Sequence, residues 1–547
     1  SGLARWLLDP LSVTGSYVSG GSRSELSRAS ASSYALNVDY TLLPRPATIR
    51  VAGAALRLNP TAIRLRSGLA GSDAERFTYT VPIPRPGDTL PPVVSQVRLW
   101  RSAAGIELVP LTGVRFGVDA GTTRDLRDYG DSTTIGRLIG QGSGSFLGQN
   151  IGVETQRSLS TSLNLTPRLA AWIRPRAALT SSFGFTRDPN ARQPVRTIGD
   201  SAGEFRIPAA YSNARRFEAG TQLDPGRLAG AVFGDSSSVA GWLGRITSLD
   251  VSYNRQRASR INRAGDLPPL GYQLALGGLD DFRRVDGLLA ASATQNATLT
   301  AGATAVFGWG LRGNASYRRT RGIVWSLRGD QQLPIRSYTR DWPNGTLTWS
   351  LTPSRRWIGR VLSSLTAQLI YRRTETENQQ PTFGSTTNVS ISRLSERSLS
   401  PSLTLTWAGG IFTSLDASRS RSERLTAGNL FRTSREQQNA TVTFAFRLPS
   451  ALGGGGRWPA NIRTTARYSV VGNTTCLRAA GQADCVPYVD SRQVQAQLTM
   501  DTDLPSNMSA GLQLAYLLTE ERQTNRKVAQ LVITAFVQLA TSVGQIR

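Results

Sequence analysis

Apolar and polar residues alternate with period two along most of this chain. In SYALNVDYTL, Tyr34, Leu36, Val38, Tyr40 and Leu42 fall on one face, and Asn37, Asp39 and Thr41 on the other. The same alternation places Leu365, Ala367, Leu369 and Tyr371 together, then Val442, Phe444, Phe446 and Leu448, then Val494, Ala496, Leu498 and Met500, then Met508, Ala510, Leu512, Leu514 and Tyr516. Side chains of an extended strand point alternately to its two faces, so this pattern predicts antiparallel strands with one apolar face. No long window sustains a helical period, and the chain reads as all-β.

The predicted strands are long and run on into polar tails, as in LIYRRTETENQQPTFGSTTNVSIS and SLDASRSRSERLTAG. Soluble strands average about five or six residues, whereas membrane-spanning strands need about nine to eleven. Tight connections, such as 504–508 and 406–412, contrast with long polar ones, such as 125–150 and 473–491. Short turns on one side and long loops on the other mark a membrane barrel. The expectation is a large antiparallel transmembrane β-barrel, or a large arc of one, occupying residues 1–547 as a single architecture. At about 22–25 residues per strand and connection, it would hold roughly 22–26 strands. A soluble sandwich is the competing reading, and no fixed-length repeat supports a propeller.

Bulk hydropathy does not contradict a barrel. Mean hydropathy is −0.23 and no apolar run is long enough for a spanning helix. A barrel strand averages to neutrality because half its residues face water. The formal net charge of +26 comes from 63 basic against 37 acidic residues, and every basic residue except Lys527 is arginine. These arginines are spread along the chain, with no basic helix or nucleic-acid motif to gather them, so no nucleic-acid partner is expected. In a barrel, polar strand tails rich in arginine would meet anionic lipid headgroups, since guanidinium pairs well with phosphate. Trp6, Trp100, Trp172, Trp325, Trp342, Trp349 and Trp407 lie where an interfacial aromatic girdle is expected.

The chain has no histidine, which removes Ser-His-Asp and Cys-His catalysis and His-ligated zinc. The acidic pairs Asp73/Glu75, Glu375/Glu377 and Glu520/Glu521 have no evident pocket. The glycine-rich stretch at 140–150 lacks the spacing of a dinucleotide loop. No catalytic residue, metal site or cofactor is expected, and the chain does not read as an enzyme. Cys476 and Cys485, close together in a polar stretch, read as a local disulfide of an oxidising compartment. The first residues, SGLARWLLDP, carry neither an initiator methionine nor an apolar signal segment, so the chain reads as processed, trimmed or partial.

GDLPPLGYQLALGG, residues 265–278, interrupts the strand pattern. Two prolines followed by a soft apolar stretch and two glycines exclude a helix or a central strand by composition. Pro268 and Pro269 would end strand pairing. The stretch through Gly271, Tyr272, Gly277 and Gly278 would fold back as a loop that lines, caps or gates an opening, or lie as a plain surface loop.

With its flanking strand, ITSLDVSYNRQRASRINRAGDLPPLGYQLALGG resembles a segment of the SprA family, the giant outer-membrane translocon barrel of the type IX secretion system. There a strand ends in polar residues, turns through a Leu-Pro-Gly-like stretch and re-enters with a Gly-aromatic run. The strand pair DPLSVTGSYVSGGSRSE…YALNVDYTLLPRP with LNPTAIRLRSGLAGSDAERFTY is similar to the family, as are DWPNGTLTWSL and LSPSLTLTWAGGIFTSLDASRSRSERLTAGNLFRTSREQQNATVTFAFRLP. The matches are collinear and correspond to the C-terminal part of the family's longer polypeptide. The resemblance implies an outer-membrane conduit for folded exported cargo proteins in a Gram-negative-type bacterium. By the same resemblance its partners would be a shuttle barrel, a plug protein and other segments of a larger barrel, beside outer-membrane lipid and lipopolysaccharide. Two other readings stay open: a barrel for small solutes or lipopolysaccharide, and a structural or adhesive surface protein.

Overall fold

The computed structural model describes residues 9–539 except 52–53, 80–90, 128–144, 147–148, 190–192, 196–203, 207, 235, 265–266, 286, 330, 354–358, 382–388, 448–460 and 505–507. Trp6, Leu448 and most of the glycine-rich 140–150 stretch lie outside the described residues.

Twenty strands form one antiparallel sheet. They are β1 (Leu11–Ser24), β2 (Ser27–Leu42), β3 (Ala62–Thr78), β4 (Val93–Leu111), β5 (Val114–Asp125), β6 (Val153–Leu165), β7 (Ile173–Arg187), β8 (Ala209–Leu223), β9 (Ile246–Ala264) and β10 (Ser292–Phe307). The second half comprises β11 (Leu311–Arg328), β12 (Gln331–Leu351), β13 (Leu362–Pro381), β14 (Val389–Trp407), β15 (Phe412–Thr426), β16 (Asn429–Arg447), β17 (Asn461–Arg478), β18 (Val486–Leu504), β19 (Met508–Glu521) and β20 (Arg526–Leu539). Each strand pairs with its sequence neighbours in an unbroken meander. The sheet is thus a large antiparallel transmembrane β-barrel wall, with twenty strands among the described residues where 22–26 were expected for the whole chain. These strands run from 12 to 21 residues, longer than a membrane crossing requires, so each takes up more of the chain than the expected count allowed for.

The register fixes the two faces. Leu249, Val251 and Tyr253 of β9 stand level with Ala303, Ala301 and Leu299 of β10, and these with Ala315, Tyr317 and Arg319 of β11. Leu347 and Trp349 of β12, Ala367 and Leu369 of β13, and Leu403 and Pro401 of β14 continue the same face. It reaches β20 through Leu498, Leu514 and Ile533. This apolar band is the outward, lipid-facing side, and exposed Leu347, Leu369, Leu415 and Leu512 are ordinary there. The opposite, inward face carries small and polar residues, including Asn37, Asp39, Arg66, Gly68, Gly105, Gly121, Ser158 and Ser182. Ion pairs such as Arg66–Asp39 at 2.9 Å and Arg216–Glu218 at 3.0 Å lie on it.

The two ends of the band differ. At the end shared by the β1–β2 turn, here the upper end, Tyr17, Tyr34, Tyr253, Tyr317, Tyr371 and Tyr516 close the band, and outward arginines follow above them. At the lower end Trp349 and Trp407 close it. Trp342 joins the upper ring, edge-on to Tyr317 at 6.1 Å. Connections do not sort cleanly into short and long sides. The lower end holds both the tight turn through Gly409 and Gly410, whose positive φ suits a hairpin (94° and 83°), and two helices, α1 (Pro225–Phe233) and α2 (Ser238–Leu243). The expected long loop at 473–491 is mostly strand: β17 and β18 extend to Arg478 and from Val486, leaving only 479–485 as connection. Polar composition there reflects a strand extension in water.

Candidate functional site

The buried apolar cluster of the described residues lies above the band, on its outward face. On β7, β8, β9 and β11 the outward positions turn polar at the arginine level and then apolar again. β7 continues to Phe183 and Phe185, β8 to Tyr211, β9 to Ile261 and β11 to Ile323 and Trp325. Strand pairing cannot bury this second patch. The segment after β9 covers it, contributing Tyr272, Val285 and Ala290 to a cluster with Phe183, Phe185, Tyr211, Ile261, Ala293 and Trp325.

The segment is built of two single-turn helices, α3 (Leu270–Gln273) and α4 (Leu279–Arg283), which corrects the expectation that its composition excludes a helix. The prolines precede the first turn instead of interrupting it. Pro269 occupies the N-cap position, and its carbonyl accepts from the amides of Tyr272 and Gln273 at 2.9 and 3.1 Å. Proline is tolerated at a helix start because the first amides have no intrahelical partner. Pro268 is buried and its carbonyl accepts from Gln273 Nε2 at 2.8 Å. Gly271 is exposed, with open space where a Cβ would stand, whereas a Cβ on Gly277 would collide with the Asp281 carboxylate. The Gly278 amide donates to Asp281 Oδ2 at 2.6 Å.

Tyr272 is the anchor. Its ring meets Tyr211 edge-on at 5.6 Å and Phe183 at 6.3 Å, with Phe282 at 6.2 Å behind it. Its hydroxyl shares a hydrogen bond with Ser259 Oγ at 2.7 Å, and its carbonyl accepts from Asn213 Nδ2. Arg215 donates to the Ala275 carbonyl at 3.1 Å and Gln332 Nε2 to the Ala290 carbonyl at 2.8 Å. The Arg283 guanidinium lies 5.1 Å from the Trp325 ring centroid. Trp325, expected in the aromatic girdle, is buried in this cluster instead, because its strand has already left the apolar band. The structure therefore brings Pro268, Tyr272 and Gly277 together on the outward side of the wall, with Pro269, Gly271 and Gly278 on the segment's exposed surface.

Burial pushes the Tyr272 hydroxyl up from 10 to about 12, and the Ser259 hydrogen bond only partly opposes it. The docked hydroxyl keeps its proton where a released one has lost it. Docking is thus at full strength below pH 10 and weakens as pH rises from 10 towards 12. A fluorophore on Leu276→Cys should report release across that window, and Tyr272→Phe should abolish the alkaline step. A step that persists in the Phe variant belongs to another group.

Two further features belong to the site inventory. Cys476, at the top of β17, is joined to Cys485 with Cα atoms 5.5 Å apart, tying off the β17–β18 hairpin. At the sheet's ends, β1 pairs only with β2 and β20 only with β19 among the described residues. All fourteen β1 residues are exposed, and Tyr17 and Ile533 are 70% and 62% accessible. An unpaired edge at band level leaves amides and carbonyls without partners in hydrocarbon, at a cost of several kcal/mol each. The sequence pattern of β1 and β20 resembles that of interior strands, so alternation alone cannot reveal an edge. The second apolar patch, by contrast, has a readable signal: outward-parity aromatics reappearing above the arginines.

The fold and its faces define the class, a membrane-spanning antiparallel β-wall. No protein family and no curated protein matches the chain. Among solved structures, a doubly substituted ferric enterobactin receptor from Pseudomonas aeruginosa is 12% identical over 92% of this chain and 74% of its own, with a TM-score of 0.26. The P pilus usher PapC translocation pore is 9% identical over 97% and 99%, with a TM-score of 0.18. Likeness at this level carries no argument, and the fold assignment rests on register and the apolar band.

Proposed function

We propose that this chain is a wall segment of an outer-membrane conduit for protein export, of the SprA kind suggested by its sequence. The observation that carries the reading is the open seam. Among the described residues the twenty paired strands end in two amphipathic edges that pair with no further strand, which supports reading the wall as an arc that further barrel segments complete. The small, polar inward face suits a wide aqueous passage. The arginine-rich upper end faces the cell exterior, and the disulfide is placed in an oxidising space. Cargo, a shuttle barrel and a plug are partners by the resemblance alone. The chain's role is passage and not catalysis.

The native mass of the detergent-extracted particle tests this reading. A particle well above 59.0 kDa plus detergent, containing further barrel segments, is the expected result. A particle of one chain, with Val13→Cys on β1 cross-linking to Ile533→Cys on β20, would replace it with a self-closed barrel for small solutes or lipopolysaccharide. Twenty antiparallel strands could close that way, since an even count leaves β1 and β20 antiparallel.

A further inference from the structure

We propose that the outward face of β10–β14 is a binding site for a lipid that carries two phosphates, held by Arg319, Arg340 and Arg397. The site rests on the reading of this wall as membrane-spanning, with its arginine end at a lipid headgroup layer.

Like charges stand side by side on this face. Arg319 of β11 stands directly opposite Arg340 of β12, and Arg397 of β14 stands between Arg373 of β13 and Arg421 of β15. Directly opposed like charges destabilise a sheet. A neighbouring case is satisfied internally: Arg215 and Arg257 are also opposed, and both point guanidinium nitrogens at carbonyls of the docked segment. Carboxylates on the patch are likewise engaged. Glu375 is held by Arg373, Glu377 by Arg393 at 3.1 Å, and Glu423 by Arg421 and Arg432 at 2.7 and 2.9 Å. Arg340 stands opposite Glu375 in the register, yet Arg373 is the residue that makes the ion pair. Arg319, Arg340 and Arg397 are exposed and have no carboxylate partner among the described residues.

Their position specifies the missing acceptor. All three sit immediately above the tyrosine ring, at the level where an anionic headgroup meets the apolar band. Below Arg319 and Arg340 the outward face is a strip of small residues, Ala301, Ala303, Ala315 and Gly345, against which acyl chains can lie close beside the Tyr317–Trp342 pair. A soluble anion would use the arginines and ignore the small-residue strip; a phospholipid with a single phosphodiester would use both but supply one phosphate. Arg340 and Arg397 lie two strands apart and one two-residue step out of level, about 12 Å. One phosphate can bridge Arg319 and Arg340 while a second reaches Arg397. Guanidinium takes phosphate in a bidentate geometry.

The test uses the full chain, with any assembly partners it retains, in lipid nanodiscs. Binding is measured for a bisphosphorylated acylated disaccharide lipid, its monophosphorylated form, a single-phosphate anionic phospholipid and inorganic phosphate. The expected order has the bisphosphorylated lipid at least ten-fold tighter than any other probe. The R319Q/R340Q/R397Q variant should lose that ten-fold advantage, while R312Q/R318Q, on the inward face of the same strand, should keep it. Equal binding of one- and two-phosphate lipids, full competition by inorganic phosphate, or equal losses in the two variants would each overturn the site. The wild-type series decides the question even if a variant misfolds. Failure of the wild-type chain to enter a bilayer would instead overturn the membrane reading itself.

Discussion

Replacing Tyr272 with alanine should release the segment between β9 and β10 from the wall. The substitution empties the centre of an aromatic cluster, a change that costs about 3–5 kcal/mol in a packed core. It also leaves Ser259 Oγ without its partner. The loss acts locally, because the twenty-strand ladder does not depend on the segment, so it appears as opening and not as global unfolding. Protease cleavage within 267–291 should accelerate by roughly 100-fold or more, given about 1.4 kcal/mol per decade. Tyr272→Phe keeps the ring and should cost only about 0.5–1.5 kcal/mol. If Tyr272→Ala leaves cleavage unchanged, the anchor is elsewhere, and Phe282 or the Gln332 hydrogen bond is the next candidate. The consequence for function is direct. The segment packs on the outer side of the wall, so its release should expose the outward faces of β7–β11 to solvent without unblocking a lumen.

The second large effect is expected from Leu347→Arg. Leu347 lies in the middle of the outward band, between Gly313 and Leu369 in the register, and is 42% accessible. An arginine facing lipid at mid-depth costs about 2–4 kcal/mol in a membrane barrel. The folded-to-unfolded ratio in phospholipid vesicles at the parent's urea midpoint should fall by roughly 30-fold or more. Thr346→Arg, one position away on the inward face, should stay within about 0.5 kcal/mol of the parent. Equal effects from the two substitutions would mean the faces are assigned wrongly, and with them the lipid site and the polar passage.

Much of the wall was legible in the chain itself. Period two in Tyr34–Leu42 and Leu365–Tyr371 names the strands and their apolar parity, because a strand's own geometry sends neighbours to opposite faces. The strand extensions were harder. Cys476 and Tyr488 looked like parts of a loop because polar residues on both faces say only that both faces meet water. The candidate site was half legible: Pro268, Pro269 and Tyr272 stand out as a break in the pattern, but their counterparts Phe183, Tyr211, Asn213 and Ser259 come from three other strands. Trp325 was misplaced for the same reason, since whether a tryptophan sits in a girdle or a core depends on its height along a tilted strand.

The sequence by itself determined the class of structure, the face each strand residue takes and the exclusion of histidine-based chemistry, all of which follow from local geometry and composition. Only the tertiary structure decided the strand count, the outward docking of the Tyr272 segment, the opposed arginine pairs and the open seam. Each of those depends on register between strands, and register is set by hydrogen-bond pairing across the sheet, to which no single strand's pattern of alternation responds.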